Sequence, residues 1–266
     1  MKFIALGDIA SRPGREAIQK YIPILREKYA PDFIIANADN ASNGLGVSTV
    51  HVKELYDYGV DLLTGGDHIW HQKDLMPHLD RAPWTLRPLN YPQGTPGKGF
   101  HILEKNNQRL LVIHAQGRLF IDKLTDDPFA AIDKVLSGYT LGQNIDAILI
   151  DFHAETTSEK NTLAQYLNGK VSAIVGTHTH IPTADARILS EGTAFITDLG
   201  MCGDYDSVLG MEKEVPISNF RTGLKLGHLQ PAKGEATLCG LFVETDAAGK
   251  AIHIEQIKMG GILNPA

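Results

Sequence analysis

Short apolar runs alternate along this chain with longer stretches whose apolar residues recur at helical spacing. Phe3-Ile4-Ala5-Leu6 is a buried-strand pattern. A helix is expected next, opened near Ser11 and Pro13, with Ile18, Ile22, Leu25 and Tyr29 on one face and Pro23 as a kink. The second strand is Phe33 to Asn37, and a helix follows from Ser48 to Tyr58. Leu62-Leu63-Thr64 is a third strand, ending at Gly65-Gly66-Asp67-His68. This β-α-β-α-β series predicts a parallel core. The stretch RPLNYPQGTPGKGF, 87–100, has no period and reads as loop. Further strands are expected at Arg109 to His114, Ala147 to Phe152, Ala173 to Val175 and Ala194 to Thr197. Thr237 to Val243 and Ile252 to Ile257 read as a closing antiparallel hairpin. No repeat or polar linker divides the chain, so 1–266 is read as a single domain with a loose tail from about Gly260.

Composition narrows the function classes. A hydrophobic content of 43% in 266 residues can bury a sizeable core. A net charge of −6 argues against a broad duplex nucleic-acid face, so no extended nucleic-acid binding is expected. A small anionic substrate stays compatible with that charge, because bound cations can dominate a local site. No run reaches the roughly 20 apolar residues a membrane span needs, and the first apolar run is too short for a signal peptide. Cys202 and Cys239 are far apart without CxxC spacing, and Cys239 sits in an apolar run. Free buried thiols point to the cytoplasm. Oligomeric state is left open.

The chemistry gathers at strand ends. Gly176-Thr177-His178-Thr179-His180 follows the apolar run Ala173-Ile174-Val175, and alternation sends both imidazoles to one face. Asp8, then Asp39 and Asn40, then Asp67 and His68, then His153 each follow an apolar segment of their own. Parallel strands would deliver all of them to one rim, where ligands bind in open α/β sheets. Carboxylates mixed with imidazoles suit manganese, iron or zinc better than calcium or magnesium. A lone Asp after a strand is commonly a cap or turn residue, and a lone strand His is commonly just packed. Five strand ends carrying ligand types together point instead to a metal site. His101, His114 and His253 are left as packed or hydrogen-bonded, and His51, His71 and His78 as solvated. Asp151 is a candidate partner for a ligand histidine. Glu155 reads equally as an acid opening a helix, and Asp198 either orients a ligand or caps a turn. Arg12 and Arg118 are weaker candidates for phosphate contacts, surface arginine being the default.

These residues resemble the calcineurin-like metallophosphoesterase superfamily, and within it the YmdB-like branch. The resemblance runs from GDIASRPGR at 7–15 to LGM at 209–211 and the closing hairpin, through RPLNYPQGTPGKG, IDFHAETTSEK, GTHTHIPTADARIL and GTAFITDLGM. It implies a four-layer α/β/β/α sandwich with a dinuclear metal centre. It further implies hydrolysis of 2′,3′- or 3′,5′-cyclic nucleotides by a hydroxide held between two metals. Carried over by motif, Asp8 and His180 hold the first metal, Asp39 bridges both, and Asp67, His153 and His178 hold the second. Asn40 completes the first shell or touches substrate, and His68 is the general acid. Alternatives are a phosphomonoesterase of the same fold or a metal-dependent nucleotide or RNA sensor with little turnover. Two positions depart from the branch: Ala38-Asp39 stands where Gly-Glu is usual, and Gly66-Asp67-His68 where Gly-Asn-His is usual.

Overall fold

The structure is a computed structural model that describes residues 1–80 and 85–263. The first half of the chain gives β1 (Lys2–Ile9), α1 (Ser11–Tyr29), β2 (Phe33–Asn37), α2 (Thr49–Asp57), β3 (Leu62–Thr64) and β4 (Thr85–Leu86). Next come β5 (Phe100–Lys105), β6 (Gln108–Gln116), α3 (Pro128–Leu136), β7 (Ala147–His153), α4 (Thr157–Tyr166) and β8 (Ala173–Thr177). The remainder gives β9 (Arg187–Ile188), β10 (Ala194–Ile196), β11 (Met201–Asp204), α5 (Glu214–Thr222), β12 (Ala236–Thr245) and β13 (Ala251–Met259).

Two sheets form. One runs β13-β12-β11-β1-β2-β3-β4, the other β5-β6-β7-β8-β10-β9. The strands β1 to β4 are parallel to one another, as are β6, β7, β8 and β10. The closing hairpin of β12 and β13 is antiparallel, as the sequence predicts. Alternation along β1 explains the layers. Phe3 and Ala5 pack toward the second sheet with Leu110, Val112, Leu149 and Val175. Ile4 and Leu6 point the other way, against Ile18, Ile22 and Leu25 of α1 and Leu55 of α2. The second sheet repeats this, with Ile113, Ile148 and Ile150 set against Ile132 of α3 and Leu163 of α4. Helix, sheet, sheet and helix therefore stack as the four expected layers, with three apolar cores between them.

Local details aim the strand ends. Ser48 caps α2 and Thr156 caps α4, each accepting a backbone N–H from its first turn. Pro23 lies inside α1, which continues through it to Tyr29. The first half of β1 pairs antiparallel with β12, while Asp8 and Ile9 pair parallel with β11. The register on β2 shifts between Leu6 and Asp8. Gly7 permits this, since a Cβ there would stand 1.8 Å from the Gly200 carbonyl oxygen. In the tail, Gly260 and Gly261 pack against Tyr21 and Thr237, and residues 264–266 lie outside the described residues. Among the described residues no helix is long and apolar enough to cross a membrane.

Candidate metal centre

The C-terminal ends of β1, β2, β3, β7 and β8 meet where the two sheets face each other. Asp8, Asp39, Asn40 and His153 are buried there, and Asp67, His68, His178 and His180 are half-buried. His153 Nε2 lies 3.4 Å from Asp67 Oδ1, 3.5 Å from Asp39 Oδ2 and 3.1 Å from His178 Nδ1. Asp67 Oδ1 is in turn 3.8 Å from His178 Nδ1. On the other side, His180 Nε2 is 3.2 Å from Asn40 Oδ1. Asp8 joins the two strand ends by accepting the His178 backbone N–H at 3.2 Å. Asp67, His153 and His178 form one tight ligand group among the described residues, and Asp39, Asp67 and His68 form another. Asp8, Asn40 and His180 line up beside these groups rather than within them.

The residues fit a metal. Asp67 Oδ1 is buried without a hydrogen-bond partner and faces two imidazole nitrogens. Four nitrogen and oxygen donors gathered at 3.1–3.8 Å from one another are the donor set a transition metal takes. Gly66 keeps the space open: a Cβ there would stand 2.5 Å from both Asp39 Cγ and His153 Nε2.

The electrostatics of the metal-free cluster say the same. Burial pushes Asp8 up to about 8, partly opposed by the charge of His153. Burial also raises Asp39. Burial works against ionised Asp67 too, but the neighbouring His153 and His68 hold it below the usual carboxylate range. His153 rises to about 9, because Asp67, Asp39 and Asp8 together outweigh its burial. His178 falls to about 3 through burial and the charge of His153, and burial lowers His180. A proton on His153 thus stands in for the cation that the three neighbouring carboxylates demand.

Around the ligands is a layer of fixed partners. The Asp151 carboxylate accepts from Thr64 Oγ1 (2.5 Å), Thr177 Oγ1 (2.8 Å) and Asn37 Nδ2 (3.1 Å). Thr177 Oγ1 lies 3.0 Å from His153 Nδ1. Having given its proton to Asp151, it accepts from Nδ1–H and leaves His153 Nε2 as the candidate ligand atom. Asp151 therefore orients His153 through Thr177 rather than by direct contact. Asp198 accepts from Thr179 N and Oγ1 and from buried Lys160 Nζ, at 3.2, 2.7 and 2.7 Å. It thereby clamps the residue between His178 and His180, both of which have left-handed backbone, φ 94 and 65.

Several sequence expectations change. Glu155 does not open α4, because Thr156 is the cap; its Oε2 stands 3.2 Å from His178 Nε2. His51 is half-buried and bonded to Ser42 Oγ at 2.6 Å rather than solvated, whereas His71 and His78 are exposed. His114 is wholly buried with Nδ1 3.2 Å from Asp151 Oδ2, while His253 is exposed, its ring against Phe242. Arg12 is a surface residue paired with Glu16. Asn37, Thr64, Thr177 and Lys160 were not anticipated; a buried hydroxyl or a buried lysine has no distinctive sequence pattern.

The ligands open onto a cavity of about 260 Å³, lined by Asp39, Asn40, His68, Glu155, His178 and His180 among others. Clefts beside α3 and α2 are roomier, about 890 and 430 Å³, but are lined by none of the ligand candidates.

Residues 4–257 match the model of a family described as YmdB-like protein. The chain is 43% identical over 258 residues to a 2′,3′-cyclic-nucleotide 2′-phosphodiesterase of Bacillus subtilis (strain 168), covering 97% of this chain and 96% of that protein. A crystal structure of a novel phosphatase from Mycoplasma pneumoniae superposes with a TM-score of 0.91 at 36% identity, over 97% of this chain and 93% of the other. A hypothetical protein from Thermus thermophilus gives 0.90 at 39% identity, over 97% and 99%.

Proposed function

The chain belongs to the YmdB-like family of the calcineurin-like metallophosphoesterase superfamily and is a phosphoester hydrolase; from that premise we propose that it is a dinuclear phosphodiesterase for cyclic nucleotides. The 2′,3′-cyclic monophosphates are the favoured substrates, with residues 1–266 acting as one domain in the cytoplasm. The observation that carries this is the buried, unpartnered Asp67 Oδ1 between His153 Nε2 and His178 Nδ1, beside a small cavity that His178, His68 and Asp39 line.

Asp8, Asp39, Asn40 and His180 would hold one metal ion, and Asp39, Asp67, His153 and His178 the other. Iron, manganese and zinc all suit this donor set. When bound, such a pair supplies Lewis acidity and an activated water for attack on phosphorus. Water adds to phosphorus, the P–O2′ bond breaks, and the product is a 3′-monoester. His68 supplies the proton for the departing 2′-oxygen. Its Nδ1 is 3.0 Å from Asp67 Oδ2, and the Asp67 carboxylate raises its affinity for protons against the cost of burial. The cavity is small for a ligand pocket, which supports a compact phosphodiester over a polymer.

The test is elemental analysis of the purified protein beside hydrolysis of 2′,3′- and 3′,5′-cyclic nucleotides and of bis- and mono-p-nitrophenyl phosphate. His68→Ala should cut turnover by about 10²–10⁴-fold while metal content holds. Preference for the monoester would make the chain a phosphomonoesterase. Stoichiometric nucleotide binding without product would make it a sensor.

A further inference from the structure

The hairpin turn Val208-Leu209-Gly210-Met211 holds a leucine where the backbone disfavours one. Val208 and Met211 exchange both backbone hydrogen bonds, at 2.9 and 3.0 Å, so Leu209 and Gly210 form a two-residue loop. Both central residues have positive φ, 53 and 87, as a type I′ turn requires. Asparagine before glycine suits that turn, whereas leucine in the left-handed region is strained. No core gains from the strain: among the described residues Leu209 joins none of the three apolar clusters and is 47% exposed. We propose that Leu209 is a specificity-determining residue whose side chain packs against the nucleoside of a bound nucleotide. This deepens the cyclic-nucleotide reading above and rests on it.

The Leu209 carbonyl oxygen lies 3.2 Å from His180 Nδ1, which sets the tip of the turn at the metal centre. Leu209 lines the cavity of about 260 Å³, and the other seven lining residues are all polar or charged. Those groups, and the metal ions they would hold, suit a phosphate and offer little to an apolar surface. Leu209 supplies an apolar wall at the mouth, where sugar and base lie once a phosphate is seated inside. The turn is fixed from behind. Gly210 N–H donates to Ser207 Oγ at 2.8 Å, and the Gly210 carbonyl accepts from Ala232 N–H at 2.8 Å. A leucine on so firm a turn gives up little freedom when a ligand arrives, so more of its contact appears as affinity. Strain that the surrounding bonds hold in place is characteristic of ligand clamps.

Leu209→Asn installs the residue the turn prefers and removes the apolar contact, so strain and binding move in opposite directions. The melting temperature should rise by about 2–4 °C as left-handed strain is relieved. Calorimetric titration of zinc-loaded protein should show binding of adenosine 3′-monophosphate, the product expected from 2′,3′-cyclic AMP, weakened about tenfold. Affinity for inorganic phosphate and zinc content should match wild type. In turnover of 2′,3′-cyclic AMP the loss should fall in KM rather than in kcat. Leu209→Met keeps an apolar side chain and should bind the nucleotide within about threefold of wild type. Unchanged nucleotide affinity in Leu209→Asn overturns the proposal, as does a wild type that binds no nucleotide. An equal loss of phosphate affinity overturns it by marking a disturbed His180. A lowered melting temperature overturns it by marking the leucine as packing for the fold. A wild type that binds the nucleotide but hydrolyses no cyclic nucleotide refutes the phosphodiesterase reading instead, and the affinities still decide the case of Leu209.

Discussion

Lys160→Met removes the cation beneath the His-x-His loop. Lys160 and Asp198 are 1% and 0% exposed at the side chain, with Nζ and Oδ2 2.7 Å apart. Deleting one partner of such a pair typically costs about 3–5 kcal/mol, because the other charge is stranded in low dielectric. Asp198 keeps three donors, Thr179 N, Thr179 Oγ1 and Gly200 N, which places the cost at the lower end. Methionine refills most of the lysine stem, so the cavity contribution is small. The expected loss is about 3 kcal/mol, read as a fall of roughly 1 M in the urea midpoint. Adding Asp198→Asn should recover at least about 1 kcal/mol, since the stranded charge is gone. The loop should loosen as well. His178 and His180 at φ 94 and 65 cost on the order of 1–3 kcal/mol each, and the Thr179 clamp is what holds them there. Metal retention measured by equilibrium dialysis should therefore fall with stability. A loss below about 1 kcal/mol, or strict additivity with Asp198→Asn, would refute the buried-pair reasoning.

Three further outcomes are expected. Gly66→Ala should abolish metal binding while leaving a folded chain, because its Cβ would come within 2.5 Å of both Asp39 Cγ and His153 Nε2; elemental analysis with circular dichroism checks this. Asp67→Asn should weaken metal retention and move the alkaline limb of the pH–rate profile to lower pH, since Asp67 is what raises His68. Metal-free protein should lose stability as pH rises between about 6.5 and 9. Asp8, raised to about 8, and His153, raised to about 9, both bind more protons in the folded state over this range, so their contributions vanish as pH passes the folded values, whereas below it the lowered His178 and His180 give the opposite slope. Melts of chelated protein should show this slope, and a melting temperature that rises from pH 7 to pH 9 would contradict it.

The candidate ligand positions were legible because buried parallel strands write themselves as apolar runs that stop abruptly. β2 and β3 matched the sequence reading residue for residue, and β7 and β8 ran one or two residues further than expected. The short β4, β9 and β11 were missed: two to four residues carry too little pattern. β5 was lost for a different reason, since its residues are half-buried at a sheet edge. Lys160 was invisible because a lysine on a helix is almost always at the surface, and only the second sheet's packing puts this one beneath Asp198. Glu155 was left open because an acid before a helix has a sufficient local explanation. Its contact with His178 joins the end of β7 to the end of β8, and register between strands is not written in either segment.

The two departures from the family pattern make sense together in the fold. Aspartate at 39 has a shorter arm than glutamate, and its own backbone is tied in place by hydrogen bonds. Asp39 N–H donates to Asn37 Oδ1 at 2.9 Å and Gly46 N–H to the Asp39 carbonyl at 2.6 Å, while the bare face of Gly66 makes room for the carboxylate. Aspartate at 67 changes the chemistry rather than the fit. Its Oδ1 faces His153 and His178, and its Oδ2 lies 3.0 Å from His68 Nδ1. An asparagine whose oxygen took the ligand side would turn an NH₂ toward His68, forcing a bare Nδ1 and a neutral ring. The carboxylate instead favours the imidazolium, raising the affinity of His68 for protons. The extra negative charge that would make this site less attractive to a phosphodiester is thus the same charge that favours a proton on the proposed general acid.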